Sequence, residues 1–174
     1  MGNASYASTL LDHARSLYTS AKDITPYTLY QESVPAAAST YGSSQYTDDL
    51  CYAALSLALA TNESTYYADA YGYYVNYSLT NSHEVWNWDS KTPAVYLLFV
   101  ESALARPGLA QGAGLDVNLT GWQTEAEGYL DRIVNGEKRR GFLTRGERYH
   151  WPDSLCTDSQ ADYCTTMVIL NWHH

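Results

Sequence analysis

The sequence predicts an all-α protein whose helices form two layers, one wrapped inside the other, as in a helical-hairpin barrel. Three observations carry that expectation. Apolar residues recur at helical spacing almost throughout. Helices with a single apolar side alternate with helices that are apolar all round. Proline, glycine and asparagine stop signals separate one segment from the next. An inner helix touches both the outer layer and the interior, so it needs apolar residues on every side, whereas an outer helix keeps one side for water.

The elements follow in order. Leu10, Leu11, Ala14, Leu17, Tyr18 and Ala21 form one stripe on a first helix, and Pro26 lies beyond its end. The stretch from Gln31 to Gln45, rich in Ser, Ala and Gly, reads as a loop. A second helix opens near Thr47 and runs to about Ala60. Leu50, Cys51, Ala53, Ala54, Leu55, Leu57, Ala58 and Leu59 place apolar groups on all its sides, and Thr61-Asn62 ends it. The third, Ser64 to Leu79, carries an aromatic stripe of Tyr66, Tyr67, Tyr73, Tyr74 and Tyr77 with Ala70. After a loop holding Trp86 and Trp88, Thr92-Pro93 reads as a helix start, with Thr as N-cap and Pro at the first helical position. The fourth helix, Ala94 to Ala105, is again mostly apolar and stops at Arg106-Pro107-Gly108. A fifth starts at Thr120 with Trp122, Ala126, Tyr129, Leu130 and Ile133, and Asn135-Gly136 closes it. A last short helix is expected from Ser159 to Leu170.

Composition narrows the function. The chain has 174 residues, 45% of them apolar, enough for one domain with a real core. A formal net charge of -9 argues against nucleic acid as partner, because phosphate binding needs clustered Lys and Arg. The one basic run, Lys138-Arg139-Arg140, reads as a solvated turn. No apolar run reaches the roughly 18 residues that span a bilayer. There are 17 Tyr and 5 Trp against 2 Phe. Tyr and Trp combine a flat apolar face with a polar handle, which suits clefts for pyranose rings, although any single Tyr here more readily spans the edge of the core.

Secretion is signalled indirectly. Asn3, Asn62, Asn76 and Asn118 each open an Asn-x-Ser/Thr glycosylation sequon. Met1-Gly2-Asn3 leads straight into polar sequence, so a signal peptide is either removed or lies outside these residues. Cys156 and Cys164 flank a short polar loop and are expected to pair in an oxidising compartment. Cys51, on an apolar helix, reads as a buried free thiol. No Cys/His spacing matches a zinc site.

The segment Tyr41-Gly42-Ser43-Ser44-Gln45-Tyr46-Thr47-Asp48-Asp49-Leu50, with the Ala-rich helix and Ala60-Thr61-Asn62 after it, resembles a signature of glycoside hydrolase family 9, the inverting cellulases. Trp88-Asp89-Ser90-Lys91 and its apolar helix are similar to that family's Trp-Asp-Asp-Lys element, and Gly141-Phe142-Leu143-Thr144 fits the next hairpin loosely. Gln45 stands where the family usually has Gly, Asp49 where it has Glu, and Ser90 where it has Asp. The resemblance implies a six-hairpin (α/α)6 barrel, of which six helices make about half the toroid. The segment would then be internal to a catalytic domain that degrades β-1,4-glucan and that needs the parts missing from this chain.

The resemblance also implies a structural Ca²⁺. Such an ion takes six to eight oxygens, mixing carboxylates and carbonyls. Asp48, Asp49 and Asp89 would supply carboxylates, and Ser44 and Gln45 carbonyls. Without that resemblance, two acids at a helix N-terminus simply complement the helix dipole. An acidic pair serving a diphosphate-bound Mg²⁺ would want another acid three residues after Asp49, where Tyr52 stands. Tyr41 matches a family tyrosine that lines the cleft. Trp86 and Trp88 lie in a mouth loop as candidate glucose-stacking residues, with Trp88 reading more naturally as packed under that loop, and Tyr149 and Trp151 occupy a second such loop. Inverting glycosidases need a general acid and a general base. The family's Asp-rich base motif and its acid Glu motif do not occur in this sequence, so the catalytic pair is expected outside it. The competing expectations are a non-catalytic carbohydrate-binding helical protein and a structural remnant of a truncated gene product.

Overall fold

The computed structural model describes residues 3–82 and 86–134. All regular structure in these residues is helical: α1 (Ala4–Asp23), α2 (Tyr30–Ser33), α3 (Ala38–Tyr41), α4 (Thr47–Thr61), α5 (Ser64–Asn76), α6 (Thr92–Ala105), α7 (Gly108–Gly112) and α8 (Leu119–Val134), with a 3₁₀ turn at Pro35–Ala37. None of them is long and apolar enough to cross a membrane.

The two apolar helices form the inner layer. α4 and α6 pack against each other, α5 covers α4, α8 covers α6, and α1 lies along the other side of α4. α4 buries Leu50, Cys51, Ala54, Leu55, Leu57 and Ala58, and α6 buries Ala94, Val95, Tyr96, Phe99 and Ala103. α5 buries only Tyr67 and Ala70 fully. Alternation along the sequence thus becomes alternation between layers.

Phe99 is the centre of the packing. The Trp122 ring of α8 stacks on it at 4.0 Å and 9°. The rings of Tyr67 and Tyr74 from α5 meet it edge-on, each with centroids 5.6 Å away. One α6 side chain therefore joins both outer helices to the inner layer. Tyrosines at this boundary bury the ring and give the hydroxyl a partner. Tyr96 donates to the Leu79 carbonyl at 2.5 Å and accepts from the Ser82 amide at 2.8 Å. Tyr18 donates to Asp69 at 2.8 Å, and Lys22 reaches the same carboxylate at 2.6 Å. Cys51 is buried and free, as expected, with Sγ 3.2 Å from the Ala70 carbonyl.

Several boundaries differ from the sequence expectation. The first helix extends beyond its stripe at both ends, but the stripe is largely open: Leu10 is 51% and Leu17 72% exposed. These residues, with Ala14 of α1 and Ala53, Leu57 and Ala60 of α4, line an apolar groove of about 810 Å³. The Gln31–Gln45 stretch is not a plain loop. It holds α2, the 3₁₀ turn and α3, and Gln31 ties its far end by donating to the Ser43 carbonyl at 2.6 Å and accepting the Ser43 amide at 3.1 Å. The third helix ends at Asn76 rather than Leu79. Ser78 takes a left-handed φ of 52°, and the Leu79 amide folds back to the Tyr74 carbonyl at 3.1 Å, a Schellman-like close. α7 was not foreseen, since five residues carry too little periodicity to register.

The layering has a measurable consequence. Phe99→Ala is expected to cost about 3–5 kcal/mol, whereas Leu17→Ala, on the open side of α1, should change stability by no more than about 0.5 kcal/mol. Urea denaturation of the two variants beside the parent chain checks this.

Candidate functional site

α4 and α6 begin at the same end of the molecule, and a single side chain makes that so. Asp48, in the first turn of α4, is 0% exposed. Its Oδ2 accepts the Lys91 amide at 2.6 Å and lies 3.5 Å from the Thr92 hydroxyl. The start of α6 is thereby capped by α4. This corrects the expectation that Thr92 is the N-cap: Lys91 holds that position and Thr92 is the first helical residue, its hydroxyl turned to Asp48 instead of its own helix.

The loop before α6 is built on Asn87. Its Oδ1 accepts the amides of Asp89 at 2.6 Å and Ser90 at 2.9 Å, and its own amide donates to the Ser90 carbonyl at 2.9 Å. Lys91 Nζ donates to the Asn87 carbonyl at 2.5 Å. Asn hydrogen bonding to the backbone two residues on is an Asx-turn. Neither Asn87 nor the Lys91 amide was anticipated, although Asn two residues before Asp is the pattern that would have revealed the turn.

That loop meets the segment before α4. The Asp89 carboxylate accepts the Ser44 amide at 2.5 Å, and the Ser44 hydroxyl lies 3.1 Å from each of its oxygens. The Tyr41 and Trp88 rings meet edge-to-face at 5.3 Å and 86°. Ser44, Asp48, Asp89, Tyr41 and Trp88 therefore belong to one site, although 40 residues or more separate its two segments in sequence. Gln45 is exposed beside them, and its side chain is 3.2 Å from the Thr47 hydroxyl. Trp88 is not packed under its loop as expected. It is 36% exposed, with its ring nearly perpendicular to that of Tyr41. Trp86 is half-buried, with its backbone bonded to the Tyr129 hydroxyl. Tyr149, Trp151, Cys156, Cys164, Gly141–Thr144 and the helix expected from Ser159 lie outside the described residues.

The electrostatics are those of crowded acids. The Asp49 carboxyl is pushed up to about 6, first by burial and then by repulsion from Asp48 and Asp89, with Lys91 opposing. Asp48 Oδ1 is buried and has no hydrogen-bond partner among the described residues. An orphaned carboxylate oxygen beside two further carboxylates suits a cation. Among the described residues no three Asp, Glu, His or Cys side chains converge on one point. A cation here would therefore draw on carbonyl oxygens as well, a mixed set that Ca²⁺ accepts.

The model of glycosyl hydrolase family 9 matches residues 2–172, and the chain belongs to that family. It is 29% identical over 129 residues to Endoglucanase 2 of Arabidopsis thaliana, an alignment covering 74% of this chain and 24% of that protein. It is 35% identical over 99 residues to Endoglucanase 13 of Arabidopsis thaliana, covering 57% and 19%, and 40% identical over 101 residues to Endoglucanase B of Cellulomonas fimi, covering 53% and 9%. The solved structure of an endoglucanase from the termite Nasutitermes takasagoensis superimposes with a TM-score of 0.63 at 28% identity, over 79% of this chain and 28% of that one. The chain thus spans about a quarter or less of the curated relatives it matches.

The Asp48 tie predicts a stability effect. Asp48→Ala strips the Lys91 amide of its charged acceptor and should cost about 1.5–3 kcal/mol. Denaturation with a chelator present measures it free of any metal effect, and an unchanged midpoint would show that α6 starts without Asp48.

Proposed function

We propose that this chain is part of a secreted family 9 endoglucanase that hydrolyses β-1,4-glucosidic bonds of cellulose or a related β-glucan by inversion. The observation that carries the reading is the Tyr41–Trp88 pair, a half-buried phenol against an exposed indole at the mouth where α4 and α6 begin. The relatives' names, all endoglucanases, support the substrate class.

Inversion needs an acid and a base with room between them for a water. Two of the acids at this mouth suit neither role. Asp48 is fully buried and occupied with the Lys91 amide, and Asp89 is engaged by Ser44. In this reading they hold the mouth's shape, Tyr41 and Trp88 present apolar faces to the sugar, and the catalytic pair comes from other parts of the complete domain.

The same reading assigns a structural Ca²⁺ to Asp48, Asp49 and Asp89 with the Ser44 and Gln45 carbonyls. Its contribution would be positive charge among crowded carboxylates. Supporting it are the orphaned Asp48 oxygen and the raised Asp49 carboxyl.

Two outcomes test the proposal. A reducing-sugar assay on soluble β-glucan should show no turnover by the 174-residue chain and clear turnover once it is extended by its flanking sequence. Turnover by the chain itself, abolished by replacing one of its own carboxylates, would move the active site into these residues. Separately, Ca²⁺ at a hundredfold excess over its Kd should stabilise the native state by about 2.7 kcal/mol, a Tm rise of about 2–4 °C per kcal/mol. Asp89→Asn should shrink that rise, and equal melting with Ca²⁺ and with chelator would remove the ion from the account.

A further inference from the structure

The helices give the molecule two distinct ends. α4 is 15 residues long, so its C-terminus lies about 22 Å from the mouth. Asn62 stands there, exposed, in a left-handed conformation with φ 60° that closes α4. Arg106, just past the end of α6, donates to Asn62 Oδ1 at 3.4 Å, which places the C-termini of both inner helices together. Asn118 opens α8 at this same end. From there α8 runs back toward the mouth: Trp122 stacks on Phe99, the Glu125 carboxylate takes the Asn81 amide at 2.9 Å, and Arg132 reaches the Ser82 carbonyl at 2.6 Å.

Both residues begin Asn-x-Ser/Thr sequons, and both are held by the same atom. Asn118 Oδ1 accepts the Gly121 amide at 3.2 Å and caps α8. Asn62 Oδ1 takes Arg106. In neither case does a described residue bond Nδ2. The Asn118 amide group lies close over Gly121, where a Cβ would collide with it, so the glycine makes room for the capping side chain. Asn3 repeats the arrangement at the start of α1, its Oδ1 accepting the Tyr6 amide at 3.1 Å.

We propose that Asn62 and Asn118 carry N-linked glycans, placed at the end of the molecule opposite the mouth. The inference rests on the secretory route proposed above but not on the cleavage reaction. The donor is an oligosaccharide on a lipid pyrophosphate. Asn Nδ2 attacks its anomeric carbon, a C–N bond forms, the C–O bond to pyrophosphate breaks, the amide gives one proton to a base, and the lipid pyrophosphate leaves. Transfer to Nδ2 leaves Oδ1 able to cap α8 and to meet Arg106, so glycan and fold make no competing demand on either side chain. The sugars on these two residues then lie at the end away from Tyr41 and Trp88.

The test is expression of the full chain behind a secretory leader in a eukaryotic cell, recovering secreted and retained protein together, because transfer precedes folding. Amidase release converts each glycosylated Asn to Asp, and peptide mass spectrometry locates it. Conversion at Asn62 and Asn118, with Asn62→Gln and Asn118→Gln each removing one glycan from the intact mass, is the expected result. Recovery of both as unmodified Asn would overturn the proposal. The placement is tested independently by melting. Glycosylated protein should melt at or above the amidase-treated form, and the Asn62→Asp/Asn118→Asp double variant, which keeps both Oδ1 positions and loses both acceptor nitrogens, should melt like the amidase-treated protein. A lower Tm for the glycosylated form would mean that the two amides are not free, and would also overturn it.

Discussion

A carboxylate removed from water must find its hydrogen bonds inside the protein, and Asp48 finds its main one on another helix. Its Oδ2 holds the amide that starts α6. Because Asp48 itself lies in the first turn of α4, the two inner helices start together. The rest of the mouth follows from that registration. Lys91, fixed by its amide, reaches back to Asn87; Asn87 folds the turn that presents Asp89; and Asp89 takes hold of Ser44. Trp88, inside that turn, is left facing Tyr41. The other carboxylate oxygen has no partner among the described residues, and Asp49 is forced upward by burial and by its acidic neighbours, with Lys91 the opposing charge.

At the opposite side of the ledger is packing. Phe99 lies between an indole and two phenol rings, so aromatic contact joins the inner layer to the outer at this point. The abundance of tyrosine has this structural use first. Tyr18, Tyr67, Tyr74 and Tyr96 lie at layer boundaries, while Tyr41 stands at the mouth. The groove between α1 and α4 shows the reverse: an apolar stripe that no described residue covers.

Helix identity was legible wherever a long segment repeated its pattern, as in α4, α6 and α8. Layer assignment was legible too, because all-round apolarity has no other soluble use. The fate of the α1 stripe was not, since periodicity shows which side is apolar and not whether a neighbour covers it. The site was legible as two separate motifs. Their meeting depends on a side-chain-to-amide bond between Asp48 and Lys91, and backbone amides leave no mark in a sequence. The same hidden bond displaced Thr92 from its expected cap position. Trp88 was misjudged because its depth depends on the turn made by Asn87, a residue that drew no notice beside two tryptophans.

The account stands or falls on the Lys91 amide, which native-state hydrogen exchange followed by NMR reads directly. Bonded to a buried carboxylate at the start of an inner helix, it should exchange only through global unfolding, as slowly as the Phe99 amide in mid-helix. Replacing Asp48 with Ala should return it to the fast rate of a frayed helix start. If the Lys91 amide exchanges rapidly in the unaltered chain, Asp48 does not register the two helices, and the mouth described here does not form.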